Sequence, residues 1–233
     1  MCTVSFVASS NKIIITSNRD EQVTRPAIPP DWYTINGKLL FFPKDPRAGG
    51  TWFSTDELGN TLVLLNGAAE KHQMRTGYRR SRGLIVLDIL SDLSPRDCWE
   101  FIDLDNIEPF TIVLYLSGQL WQLRWDGIAK DTVSLPADKS YIWSSSPLYT
   151  IETQRERAKR FKMFISGNTA PGENELYIFH TFKGDDPDSG LIINRDNILK
   201  TLSITQNTIH SDHLTMSYHD LAEGKEYTNK LSL

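Results

Sequence analysis

An α+β fold is the class this sequence predicts, and three features predict it. Branched and aromatic runs of strand character open the chain, helical periodicity fills its middle, and strand character returns at its end. Strict alternation of strand with helix is missing, so sheets and helices should form separate layers. At 233 residues and 39% hydrophobic content the chain can bury a substantial core, and one domain spanning residues 1–233 is expected.

Thr3 to Ala8 and Lys12 to Ser17 are rich in β-branched residues and flank the turn-prone Ser9-Ser10-Asn11, which predicts a hairpin. Antiparallel partners return to where they began, so this hairpin sets Asn18-Arg19-Asp20-Glu21 beside Cys2. Pro26, Pro29 and Pro30 exclude a central strand between Gln22 and Pro30 and predict a surface connection. Short strands follow at Lys38 to Phe42, Thr51 to Ser54 and Thr61 to Leu65, set off by Pro43 to Pro46, Gly49-Gly50 and Gly59-Asn60.

Leu84, Ile85, Leu87 and Ile89 recur at helical spacing within Arg80 to Leu90, and Ser94-Pro95 starts a second helix through Phe101. Together these helices should cover one sheet face. Phe110 to Leu116 and Gln119 to Trp125, joined by Ser117-Gly118, read as a further hairpin, and Tyr141 to Ser144 as another strand. Between Leu148 and Ser166, charges of alternating sign lead into Phe161 and Phe164, the pattern of a solvated helix with an apolar seam. Glu173 to Phe182 reads as a helix and Gly184 to Gly190 as an acidic loop. Lys200 to Gln206 and His213 to His219 then form a closing strand pair.

A net charge of -4 and a pI near 5.7 argue against nucleic acid or an anionic membrane surface as partner. No apolar run approaches the roughly 20 residues of a membrane span, and the N-terminus lacks the plan of a signal peptide. A soluble protein is expected, and homo-oligomerisation is compatible with it. The only cysteines, Cys2 and Cys98, make no disulfide framework and favour a reducing cytoplasm. Cys98 follows a helix-starting Pro95-Arg96-Asp97 and is expected to be a small buried apolar residue.

Cys2 carries the chemistry. Initiator methionine is trimmed before a side chain this small, so the mature chain should expose a thiol and a free α-amine on one residue. These groups titrate at about 8.5 and about 7.7 to 8.0, so proton transfer between them costs about 1 kcal/mol or less. Arg19, always charged, would favour the thiolate, and Asp20 would hold or orient the amine. Spacing alone favours the plainer arrangement, a start-adjacent Cys2 and a strand-ending turn with a surface ion pair, because exposed charge clusters at strand ends are common.

Five short blocks in fixed order decide between these alternatives. Met1-Cys2-Thr3-Val4-Ser5-Phe6, Thr16-Ser17-Asn18-Arg19-Asp20-Glu21, Gly49-Gly50-Thr51-Trp52, Leu65-Asn66-Gly67 and Ser81-Arg82-Gly83 resemble the NRDE-motif family, also called the transport-and-Golgi-organization family. The likeness is strong over the first eighty or so residues. It implies the four-layer αββα sandwich of N-terminal-nucleophile hydrolases, similar to choloylglycine hydrolases and penicillin V acylases. It further implies Cys2 as nucleophile, Arg19 and Asp20 as its assistants, and Asn66 as an oxyanion donor. Such a donor is commonly worth about 3 kcal/mol. Where the relatives carry an asparagine before a proline and an aromatic residue, this chain reads Ser144-Ser145-Ser146-Pro147-Leu148-Tyr149, leaving Ser145 as the substitute donor. The relatives also carry an arginine on a late strand, whereas here none follows Arg195.

The reading is therefore a cysteine amidohydrolase acting on a small-molecule amide without a cofactor. Asn18, Trp52, His72 and Tyr78 are expected to contact the substrate. The competing reading is a non-catalytic carrier of haem or lipid using the same cleft, since Trp32, Tyr33, Trp52, Phe53 and Tyr78 can line an apolar pocket or simply pack a core. His213 and His219 would share a strand face, but no cysteine or carboxylate stands at a recognised ligand spacing, so no metal is expected. Gly49-Gly50 lacks the spacing and lysine of a phosphate loop, and no Gly-x-Ser-x-Gly supports a serine nucleophile.

Overall fold

The computed structural model describes residues 3–9, 11–73, 75–168, 170–184 and 190–233. The chain forms two compact units, one built from its start through Pro26 and from Ala137 onward, the other from Ala27 to Pro136.

The first unit opens with strands β1 (Thr3–Ser9) and β2 (Lys12–Gln22), which pair antiparallel with Thr3 opposite Asn18 and Val7 opposite Ile14. The hairpin is as the sequence predicts, but β2 runs past Ser17, so Asn18 to Glu21 lie within the strand.

All of the second unit follows without interruption. Its strands are β3 (Ile28–Ile35), β4 (Lys38–Lys44), β5 (Phe53–Asp56), β6 (Thr61–Asn66), β7 (Phe110–Leu116), β8 (Gln119–Trp125) and β9 (Lys130–Leu135), joined antiparallel in chain order. Helices α1 (Arg82–Ser91) and α2 (Pro95–Phe101) lie between β6 and β7, and α1 packs on β4, β5 and β6. The chain from Ile28 to Pro30, expected to be a loop, belongs to an edge strand. Its ladder to β4 shifts between Ile28 and Asp31, and Pro29 and Pro30 are tolerated there because an edge leaves missing N–H groups unneeded.

Two of the sequence blocks meet in this unit. Thr51 N donates to Gly83 O at 3.2 Å, and a Cβ on Gly50 would stand 2.4 Å from the Gly83 carbonyl carbon. Backbone-to-backbone contact at the start of α1 thus admits only glycine at both positions.

The return leg completes the first unit with β10 (Tyr141–Ser144), α3 (Ile151–Gly167), α4 (Glu173–His180), β11 (Asn194–Arg195), β12 (Leu199–Ile209), β13 (His213–Asp220) and β14 (Lys225–Ser232). The sheet order is β10-β1-β2-β12-β13-β14, with β11 paired to β12. One face is covered by α3 and α4, whose Phe161, Leu176 and Phe179 bury Val7, Ile14 and Leu191. Strands β9 and β14 carry no strong signal in the sequence because both are sheet edges, polar and half exposed.

Candidate functional site

Alternation along β1 and β2 divides the chemical residues of the first unit between two faces. Thr3, Ser5, Asn18 and Asp20 point toward α3 and α4, while Arg19 and Ser17 point the other way. Arg19 and Asp20, adjacent in sequence, therefore serve opposite sides of the sheet.

On the helix-facing side Asp20 is 3% exposed and fixed by both carboxylate oxygens. Tyr149 Oη donates to Oδ2 and Thr201 Oγ1 to Oδ1, each at 2.5 Å, the length of charge-assisted bonds. The ladder between β2 and β12 supplies the second contact. It sets Thr201 opposite Asp20 and Ser203 opposite Arg19, with an irregularity at Leu202. Such a bulge re-aims side chains next to functional sites.

Beside Asp20 lies a sealed polar cluster. Asn18 Nδ2 donates to the carbonyls of His180 at 3.0 Å and Leu191 at 2.7 Å, so its Oδ1 must accept from His180 Nδ1, 2.5 Å away. His180 Nε2 then accepts from Ser5 Oγ at 2.7 Å. This has the order of a nucleophile, base and orienting group, yet Ser5, His180 and Asn18 are all 0% exposed. It acts as a clamp joining β1, β2 and α4. Burial, and then the nearby Arg157 cation, push the His180 imidazolium down to about 3, so the ring is neutral.

Arg157, read from the sequence as part of a solvated helix face, is 2% exposed. Its Nη1 donates to Thr3 Oγ1 at 2.8 Å, its Nη2 to Gly190 O, and the guanidinium lies 3.6 Å from the centre of the Tyr149 ring. Helical spacing could have revealed it, since Arg157 stands one turn before the buried Phe161. Arg195, also stacked on Tyr149, donates to Leu148 O.

On the opposite face Arg19 is 2% exposed and its Nη1 donates to Arg25 O at 2.9 Å. Ser17, Ser203, Thr205 and Asn207 extend this buried polar stripe, and Thr205 Oγ1 has no hydrogen-bond partner among the described residues. Tyr218 shares the face, its hydroxyl raised by burial and partly offset by Ser203 and Arg19. Ser145 follows Ser144, which pairs with Thr3, and is 1% exposed. Cys2 lies outside the described residues.

Asn66, Trp52, His72 and Tyr78 belong to the second unit. Asn66 ends β6 opposite Phe110, and Trp52 is 2% exposed with its carbonyl accepting from Leu64 N. His72 pairs with Glu108 at 3.3 Å, which also binds Arg82 at 2.9 Å, and Tyr78 lies under Arg75. Trp32, a candidate pocket wall, is 38% exposed and packs on Phe41. His213 stacks on His210 and bonds Asp212, while His219 stacks on Tyr177. No group of three or more potential ligands stands together among the described residues.

Two solved amidases share the fold. An orthologue of N-acylethanolamine-hydrolyzing acid amidase from Caenorhabditis elegans superimposes with a TM-score of 0.63 at 12% identity, covering 88% of this chain and 92% of its own. A variant of conjugated bile acid hydrolase from Clostridium perfringens gives 0.54 at 9% identity, covering 98% and 92%. These likenesses show the fold to be α+β of the N-terminal-nucleophile hydrolase type. No curated protein matches the chain by sequence. The sequence model of Transport and Golgi organisation 2 matches residues 1–183, and the chain belongs to that family.

Proposed function

We propose that the chain is an N-terminal cysteine amidohydrolase that cleaves the carbon–nitrogen bond of a small-molecule amide through an acyl-enzyme on Cys2. The observation that carries this reading is the end of β2. A buried cation and a doubly held carboxylate, Arg19 and Asp20, follow directly on Asn18, the ladder partner of Thr3, and Thr3 is the residue after Cys2.

In the reaction the Cys2 thiolate attacks the amide carbon, forming the C–S bond and pushing the carbonyl electrons onto oxygen. Collapse of that oxyanion breaks the C–N bond, and the amine leaves with a proton supplied through the α-amino group. Water then attacks the thioester, releasing the acid and restoring the thiol. Arg19 supplies fixed positive charge and Asp20 orients the amine. Asn66 enters as an oxyanion donor on the sequence resemblance, Ser145 as the substitute donor where the chain departs from the relatives, and Trp52, His72 and Tyr78 as substrate contacts on their residue types alone. A thiolate nucleophile suits the reducing cytoplasm, where we place the protein. No described helix is long and apolar enough to cross a membrane.

Intact mass before and after iodoacetamide tests the reading. Loss of Met1 and faster labelling of Cys2 than of Cys98 are expected, since burial and then Asp92 and Asp88 push the Cys98 thiol up to about 11. Retained Met1, or an inert Cys2, would sink it. The serine at position 145 and the lack of a late arginine favour a second reading, a non-catalytic carrier of haem or lipid. A carrier keeps its ligand in Cys2→Ala, whereas an amidohydrolase loses turnover of N-acyl amides.

A further inference from the structure

Arg157 is a buried guanidinium with no carboxylate partner among the described residues. Its Nε is buried and makes no hydrogen bond among the described residues. Burying a cation is costly, and a neutral side chain filling the same seam position of α3 would avoid that cost. Its contacts indicate what the charge is for. One nitrogen holds the Thr3 hydroxyl, a second holds the Gly190 carbonyl, and the guanidinium plane covers Tyr149, whose own hydroxyl grips Asp20. A single side chain thus ties the start of β1 to the carboxylate on β2. Neutral His180, held to Ser5, secures the same strand two residues further on and adds no charge of its own.

We infer that Arg157 is a positioning residue that fixes Thr3, and through it sets the reactivity of the cysteine immediately before it in the chain. This inference rests on the amidohydrolase reading. It goes beyond the family motif, because Arg157 lies outside all five sequence blocks. The forked guanidinium is required, because a lysine can supply charge but cannot hold Thr3 and Gly190 while lying flat on Tyr149.

The test is the second-order rate of iodoacetamide alkylation of Cys2 across pH, read by peptide mass in the intact folded chain, with Cys98 as internal reference. Arg157→Met should slow Cys2 by about tenfold near neutral pH and raise the midpoint of its pH–rate profile, as a thiol pKa about one unit higher would. Arg157→Lys should restore the midpoint but only part of the rate. Thr3→Val, which removes the acceptor and keeps the cation, should slow Cys2 while leaving the midpoint in place. Cys98 should be unchanged throughout. If Arg157→Met fails to fold, Arg157→Lys and Thr3→Val carry the test. Parental rates and midpoints in the folded variants would overturn the inference and leave the amidohydrolase standing. An unreactive Cys2 in the parent protein would overturn both.

Discussion

The two sheets of this protein bury very different chemistry. In the second unit Leu40, Phe42, Phe53, Leu62, Leu64, Ile112 and Leu114 make an apolar core, each at most 1% exposed. Its two buried carboxylates among the described residues each tie a turn: Asp45 accepts from Arg47 N and Ala48 N, and Asp56 accepts from Leu58 N, Asn60 N and Asn60 Nδ2 and pairs with Lys38 at 2.8 Å. In the first unit Thr3, Ser5, Asn18, Asp20, Arg157 and His180 are buried on one face, and Ser17, Arg19, Ser203, Thr205 and Asn207 on the other. Burying such groups opposes folding even when they are hydrogen-bonded, and the first unit buries two arginines, an aspartate and a histidine against its sheet, whereas the second unit's buried carboxylates tie turns.

That contrast can be broken by substitution, beginning with the largest effect. Asp20→Asn should reduce N-acyl amide turnover by about a hundredfold, because the α-amine that moves the proton loses the carboxylate that orients it, while the protein remains folded by circular dichroism. A turnover within twofold of the parent would make Asp20 structural, like Asp56. Leu64→Ala should lower unfolding free energy by about 2–5 kcal/mol in urea titrations and leave the Cys2 labelling rate unchanged. A changed labelling rate would show that the apolar sheet also tunes the site.

His180 gives the next effect, through pH. Its folded-state pKa of about 3 lies below the ordinary value of 6.5, so the unfolded chain binds a proton that the folded one refuses. Stability should therefore be lost as pH falls from about 6.5 toward about 3, by as much as about 1.4 kcal/mol per pH unit. Comparing urea midpoints of parent and His180→Gln across that window isolates the contribution, and an equal slope in both would show the ring to be protonated in its clamp. The smallest effect belongs to Thr205→Val. Removing a buried hydroxyl that has no partner among the described residues should leave stability unchanged or raise it by about 1 kcal/mol, measured by thermal unfolding. Destabilisation instead would mean that the hydroxyl is satisfied in solution.

Local chemistry made much of the fold legible. The hairpin of β7 and β8 and the short β10 have the bounds that branched and aromatic residues between turn signals predict. The edges β9 and β14 gave no such signal, because their exposed positions carry charged and polar residues that break the apolar alternation. At the site, residue types and block order pointed to the end of β2, but ending that strand at Ser17 concealed that Arg19 and Asp20 face opposite ways. Their separation follows from strand geometry once β2 is known to extend to Gln22.

By itself the sequence determined the family, the fold class and the inventory of reactive groups, because short ordered blocks and hydrophobic periodicity are local properties of the chain. Only the tertiary structure chose the partners. Tyr149 and Thr201 reach Asp20 from 129 and 181 residues away, and His180 reaches Asn18 across 162. No periodic pattern encodes such distances. They are set by the antiparallel closure of β12 on β2 and by the packing of α3 and α4 on one face, which turned an arginine and a histidine of ordinary helical appearance into a sealed polar layer beneath the first strand.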